Sequence, residues 1–286
     1  MATSQKPEVI ERIYETLLNP DTGKLSRTIV TNDDIVRAIR WLKKHTGSTL
    51  SEKNPANFIK DVIRGAGAAN MWPESLKKLR ITAKQMTGGG NVFEFVPYAK
   101  GQTEPFPDRF TFDPTVAPHR IQSITVPLAA KQLGRSDETY LIQVAVKLAV
   151  IETHFALHST QLDILEMSHL QTGIKLRETE LDSVYSARFL NSNNKRSRLI
   201  VTVEAKKFGQ RILEEQIVKQ VKAAFEITDV NTVIPTAMTV VSLANGGRGI
   251  YVVEFKAIRR STLEEFDLLE MATSAAYELV PPVKGI

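Results

Sequence analysis

In the first hundred residues, apolar positions recur mainly at helical spacing. Residues 8–18 carry Ile10, Ile13, Leu17 and Leu18 on one side, and Asn19-Pro20 stops the run. Residues 31–34 read as a cap with acids in the first turn. Ile35, Val36, Ile39 and Leu42 then share a face as far as Gly47. Asn54-Pro55 opens a third helix with Phe58, Ile59, Val62 and Ile63 on its apolar side, and Pro73 starts a short helical turn to residue 79. Residues 80–86 and 92–98 flank a glycine-rich turn and predict a β-hairpin.

Beyond residue 120 both periods appear. Residues 136–158 predict one long helix with Ser136 as its cap. Gln143, Lys147, His154 and His158 form a polar stripe on it, expected to face solvent or DNA. Glu152 lies about 200° round the helix from His154, with Leu141, Ala145 and Leu148. A carboxylate on that core side needs a metal or a cation. Strands are predicted over 162–176, 180–190 and 199–206, with a polar turn at 191–195. A helix over 212–225 follows, with Leu213, Ile217, Val221 and Ala224 facing inward. Two strands over 232–243 and 249–258 flank Asn245-Gly246-Gly247, and a last amphipathic helix is predicted over 262–279.

Composition narrows the class. The chain has 286 residues, 42% of them hydrophobic and 24% charged, as expected of one large domain or two. It has no cysteine, which excludes disulfides and cysteine chemistry, and no apolar run of membrane-spanning length. With no signal-peptide pattern at its start, a cytoplasmic location is expected. Pro105, Pro107, Pro114 and Pro118 crowd one stretch. The expected division is therefore a domain over 1–100, a Pro-rich linker over 101–120 and a second domain over 121–286.

The net charge is +5, but residues 32–84 alone hold eleven basic and five acidic side chains, a surplus of six. Helices followed by a hairpin resemble a winged helix-turn-helix domain. That resemblance implies a double-stranded DNA partner, whose phosphates Lys60, Arg64, Lys77, Lys78, Arg80 and Lys84 would meet. The plain alternative is a solvated basic surface.

The chemistry concentrates in residues 199–206, Leu-Ile-Val-Thr-Val-Glu-Ala-Lys. Strand alternation puts Glu204 and Lys206 on one side and Val201, Val203 and Ala205 on the other. Alone, the pair reads as a strand-end salt bridge. Asp182 lies 22 residues upstream on the preceding strand, enough for an antiparallel return. The order helix, three strands, helix, strand, with Asp182 and Glu204-Ala205-Lys206 on neighbouring strands, resembles the PD-(D/E)XK nuclease superfamily, which includes most type II restriction endonucleases. The resemblance covers about residues 136–258, although Leu181 stands where the family often has proline.

It implies a mixed α/β (α+β) restriction-endonuclease-like core carrying an N-terminal winged-helix-like domain. It further implies Mg²⁺ as cofactor and a homodimer that cuts double-stranded DNA. Asp182, Glu204, Lys206 and Glu152 would be catalytic. Asp182, Glu204, the Ala205 carbonyl and Glu152 would hold metal, with Gln216 or Gln220 in support.

Two rival sites and two rival functions remain. Glu254 and Lys256 form a second strand-borne Glu-x-Lys, with Asp229 upstream. His154 and His158 have metal-ligand spacing, but no Glu follows His154 as a zincin requires. At the level of function, the alternatives are an inactive DNA-binding regulator and a ligand- or modification-gated anti-phage nuclease.

Overall fold

The computed structural model describes residues 5–63, 65, 68–86, 89–176, 179–191, 193–263 and 269–286. They divide into two compact units, Met1–Arg109 and Phe110–Ile286. The division falls inside the proline-rich stretch.

In the first unit α1 (Lys6–Leu17) is followed by β1 (Ile29–Thr31), α2 (Asn32–Thr46), α3 (Phe58–Ile63) and α4 (Glu74–Lys78). Strands β2 (Ile81–Gln85) and β3 (Asn91–Pro97) complete an antiparallel sheet in the order β1-β3-β2. β1 is three residues long, too short for a period to betray it. Helix α2 begins at a capping box: the Asp34 amide donates to Thr31 Oγ1, and the Thr31 amide donates back to Asp34 Oδ2 at 2.8 Å. It ends at Gly47, whose φ of 71° only glycine adopts without strain. Trp72, Phe93 and Phe95 stack edge-on or tilted beneath the sheet and anchor the core.

The second unit is a mixed sheet with helices on both faces. Its elements are β4 (His119–Gln122), α5 (Leu128–Leu133), α6 (Glu138–Lys147), α7 (Val150–His158), β5 (Asp163–Lys175), β6 (Glu180–Leu190) and β7 (Arg196–Lys206). Then come α8 (Glu214–Ile227), β8 (Thr232–Ser242), β9 (Arg248–Phe255), β10 (Ile258–Arg259) and β11 (Met271–Val280). The strand order is β4-β11-β9-β8-β7-β6-β5, with β10 paired to β8. β7 runs parallel to β8 across the α8 crossover, and β11 runs parallel to β4; the other pairs are antiparallel.

Alternation sorts the central strands between two cores. Val201, Val203 and Ala205 pack with α6 and α7, whereas Ile200 and Val184 pack with α8. β7 is buried from Leu199 onward because both faces are covered.

Two expectations need correction. The long helix over 136–158 is two helices. The chain breaks at Ala149, at φ 51°, and the axes of α6 and α7 differ by 62°. α6 packs on β6 and β7, whereas α7 packs on β5 and β11, directions one straight helix cannot follow on a twisted sheet. The break also carries His154 off the expected solvent-facing stripe and into the core. The helix expected over 262–279 is strand β11 from Met271 onward, while residues 264–268 lie outside the described set. Ala275, Tyr277 and Leu279 face the α6–α7 core and Ala276 the other, a period of two. The backbone is paired with β9 on one side and β4 on the other. A place with sheet partners on both sides outweighs the weak helical preference of an alanine-rich segment. No single helix among the described residues is long and apolar enough to cross a membrane.

Candidate active site

The site lies where β6 and β7 part. Their ladder runs from Leu190–Arg196 to Ser183–Val203 and stops there. Extended by one step, the same register sets Asp182 directly across from Glu204. The Ala205 amide, which has no β6 carbonyl to meet, donates instead to Asp182 Oδ2 at 2.9 Å. A strand residue's N–H and C=O point the same way, so the Ala205 carbonyl also faces this opening.

Glu204 and Lys206 are almost fully buried, at 3% and 5% exposure. Each Glu204 oxygen has a partner: Lys206 Nζ donates to Oε1 and Gln220 Nε2 donates to Oε2. Gln220 Nε2 also donates to the Glu180 carbonyl at 3.1 Å, and Gln220 Oε1 is buried without a partner. The Asp182 carboxyl is pushed up to about 7, by burial first and by the Glu204 charge second. Two carboxylates facing each other beside one ammonium are short of positive charge. Together with a free carbonyl they make a hard oxygen donor set that suits Mg²⁺, which needs few protein ligands and keeps water.

Gln220 shares this site; Gln216, one turn earlier on α8, has a buried Oε1 without a hydrogen-bond partner. Glu152 is not brought to the opening. It lies on α7, where its charge is felt by Tyr185 of β6, while the groups that act on Asp182 are Glu204, Ala205 and Lys206. Its Oε2 is buried without a hydrogen bond, and burial raises its pKa. Among the described residues no three His, Asp or Glu side chains converge to hold a metal, so the donor set proposed for Mg²⁺ has two carboxylates and a carbonyl.

The rival pair is drawn apart. Glu254 is fully buried on the α7 side. Ser159 Oγ donates to it at 2.8 Å, Thr273 Oγ1 at 3.1 Å, and Gln161 also donates; His154 Nε2 lies 3.7 Å away. His154 in turn meets Tyr277 and Thr273 through its two ring nitrogens, each at 3.1 Å. Lys256 lies past the end of β9, exposed, and pairs with Glu270. Asp229 pairs with Arg198 on the surface. The motif is repeated in sequence but not in geometry. No signal in the sequence announced the buried Glu254–His154 network.

In the first unit many cations are already engaged. Asp34 takes Arg27 and Arg37, and Glu52 takes Arg40 and Lys43. Lys77 pairs with Glu74, and Arg80 stacks on Tyr98 while donating to the Gln102 carbonyl. Lys60 sits in the last turn of α3, Lys78 and Lys84 are exposed, and Arg64 lies outside the described residues. No family model, curated protein or solved structure matches this chain.

Proposed function

We propose that the chain is a Mg²⁺-dependent, sequence-specific endonuclease of double-stranded DNA. In this reading the second unit is a restriction-endonuclease-like core and the first a winged-helix-like DNA-binding module. The observation that carries it is the cluster at the β6–β7 opening, where Asp182 and Glu204 face each other with Lys206 and Gln220 against Glu204. A surface salt bridge would not need a buried carboxylate partner or a helix-borne amide. The first unit supports the reading through its element order and through Lys78 and Lys84, which stand free to meet phosphate.

Asp182, Glu204 and the Ala205 carbonyl would hold Mg²⁺. When bound, the ion supplies charge for the scissile phosphate and makes water more acidic. Asp182 keeps one oxygen on the Ala205 amide, which fixes its carboxylate and leaves Oδ1 for ligation. Lys206 directs its ammonium into the site to orient the attacking water and to offset charge growing on the phosphate. Gln220 holds Glu204 against rotation.

The test is plasmid cleavage with Mg²⁺, followed by sequencing of the ends. Asp182→Ala, Glu204→Ala and Lys206→Ala should each abolish cleavage and leave DNA binding largely intact. Wild-type cleavage by the Glu204 variant would refute the assignment.

A further inference from the structure

β5 is the outermost strand of the eight-stranded sheet, next to β6 and with no strand beyond it among the described residues. It is 13 residues long and none of them is buried. Two β-bulges interrupt its pairing with β6, and the extra residue at each is a leucine. Those leucines, Leu165 and Leu170, are 46% and 57% exposed. A sheet edge kept free of partners is usually short, or carries prolines, lysines or bulges along it, and of these β5 has the bulges but not the shortness. β5 has no proline, and its one lysine is the last residue.

The strand is also complementary to itself. Laid antiparallel on a copy of itself about His169, it sets Asp163 opposite Lys175 and Ile164 opposite Ile174. The same register sets each bulged leucine against a small residue, Leu165 against Gly173 and Leu170 against Ser168. Gly173 has no side chain, and its φ of 67° suits the strand to the curvature that bulges impose. From this self-complementarity we infer that the β5 edge is the homodimer interface, pairing antiparallel with the same strand of a second copy across a two-fold axis at His169. The pairing joins two sheets into one, covers the two leucines and matches two ion pairs, Asp163 to Lys175 and the reverse.

The surface takes up the homodimer of the nuclease reading but is argued from the strand alone, and the measurement that tests it is blind to cleavage. Size-exclusion chromatography with light scattering, at tens of micromolar, should return the mass of two chains. Leu165→Glu with Leu170→Glu should return one chain, with an unchanged circular dichroism spectrum. Asp163→Lys or Lys175→Asp alone should weaken the dimer at least several-fold, and the two together should restore it. A monomeric wild type, a leucine double variant that remains dimeric, or charge variants without effect on association would each overturn the assignment. Loss of cleavage in a dimer that stays intact would count against the nuclease reading only.

Discussion

Asp182 ties the site to pH. Its carboxyl is raised from 3.8 to about 7 in the folded chain. A group shifted in that direction favours folding fully below its unfolded pKa of 3.8 and loses that contribution as pH climbs through about 7. His154 acts in the opposite sense: burial lowers it from 6.5 to about 3, so its contribution is present above 6.5 and lost as pH falls towards 3. The difference between wild type and Asp182→Asn isolates the first effect. In metal-free buffer the Asn variant should gain in relative melting temperature as pH rises from about 5 to about 8. A difference that stays flat over that range would show that Asp182 does not titrate there. Gln220→Ala should lower cleavage about 10- to 100-fold, in the manner of groups that orient a ligand. Its main effect should be on the Mg²⁺ concentration needed, read from a metal titration.

At the scale of elements, two substitutions probe backbone constraints. Ala149 holds a left-handed conformation between α6 and α7. Ala149→Gly removes a strain of about 1–2 kcal/mol, partly offset by glycine's greater freedom when unfolded, so its melting temperature should rise slightly. Gly249 has the opposite character. A Cβ there would lie 2.6 Å from the Tyr277 carbonyl oxygen across the β9–β11 pair. Gly249→Ala should cost about 1–3 kcal/mol and lower the melting temperature clearly, as measured by calorimetry.

The helices of the first unit, the hairpin and strands β5 to β9 were legible because each runs long enough to show a period or begins with a recognisable cap. The capping box at Thr31 and Asp34 is a case of the latter. β11 was not legible, since Ala275 and Ala276 fit either period and only β9 and β4 on its two sides decide between them. The site was legible in part for the same reason. Asp182, Glu204 and Lys206 share a side by strand alternation and spacing, whereas Gln220 was indicated, beside Gln216, only by the resemblance to the nuclease superfamily and by no pattern of its own. The remoteness of Glu152 depends on which side of the sheet α7 covers, which no local pattern encodes.

For the whole molecule, charge surplus overstates what is available. Of the cations in residues 32–84, Arg37, Arg40, Lys43 and Lys77 already pair with Asp34, Glu52 or Glu74. DNA binding should therefore show a shallower salt dependence than eleven basic residues suggest. Lys78→Ala with Lys84→Ala should weaken binding about equally for all sequences and flatten that slope, as measured by fluorescence anisotropy across a salt series. In a β5-paired dimer, strand spacing puts the two Asp182 carboxyls on the order of 25 Å apart. A two-fold axis normal to the sheet leaves both on the same side, as two cuts in one duplex require.

Gln220 gives the opening between β6 and β7 a mechanical character. One amide on α8 clasps Glu204 and the Glu180 carbonyl, bolting two strands together past the end of their own ladder. The width of the jaw is thus set by a part outside the sheet, and slack in the helix becomes play between Asp182 and Glu204. An ion that wedges itself there must pull on α8, and amide exchange along Glu214–Ile227 should slow as the jaw is filled.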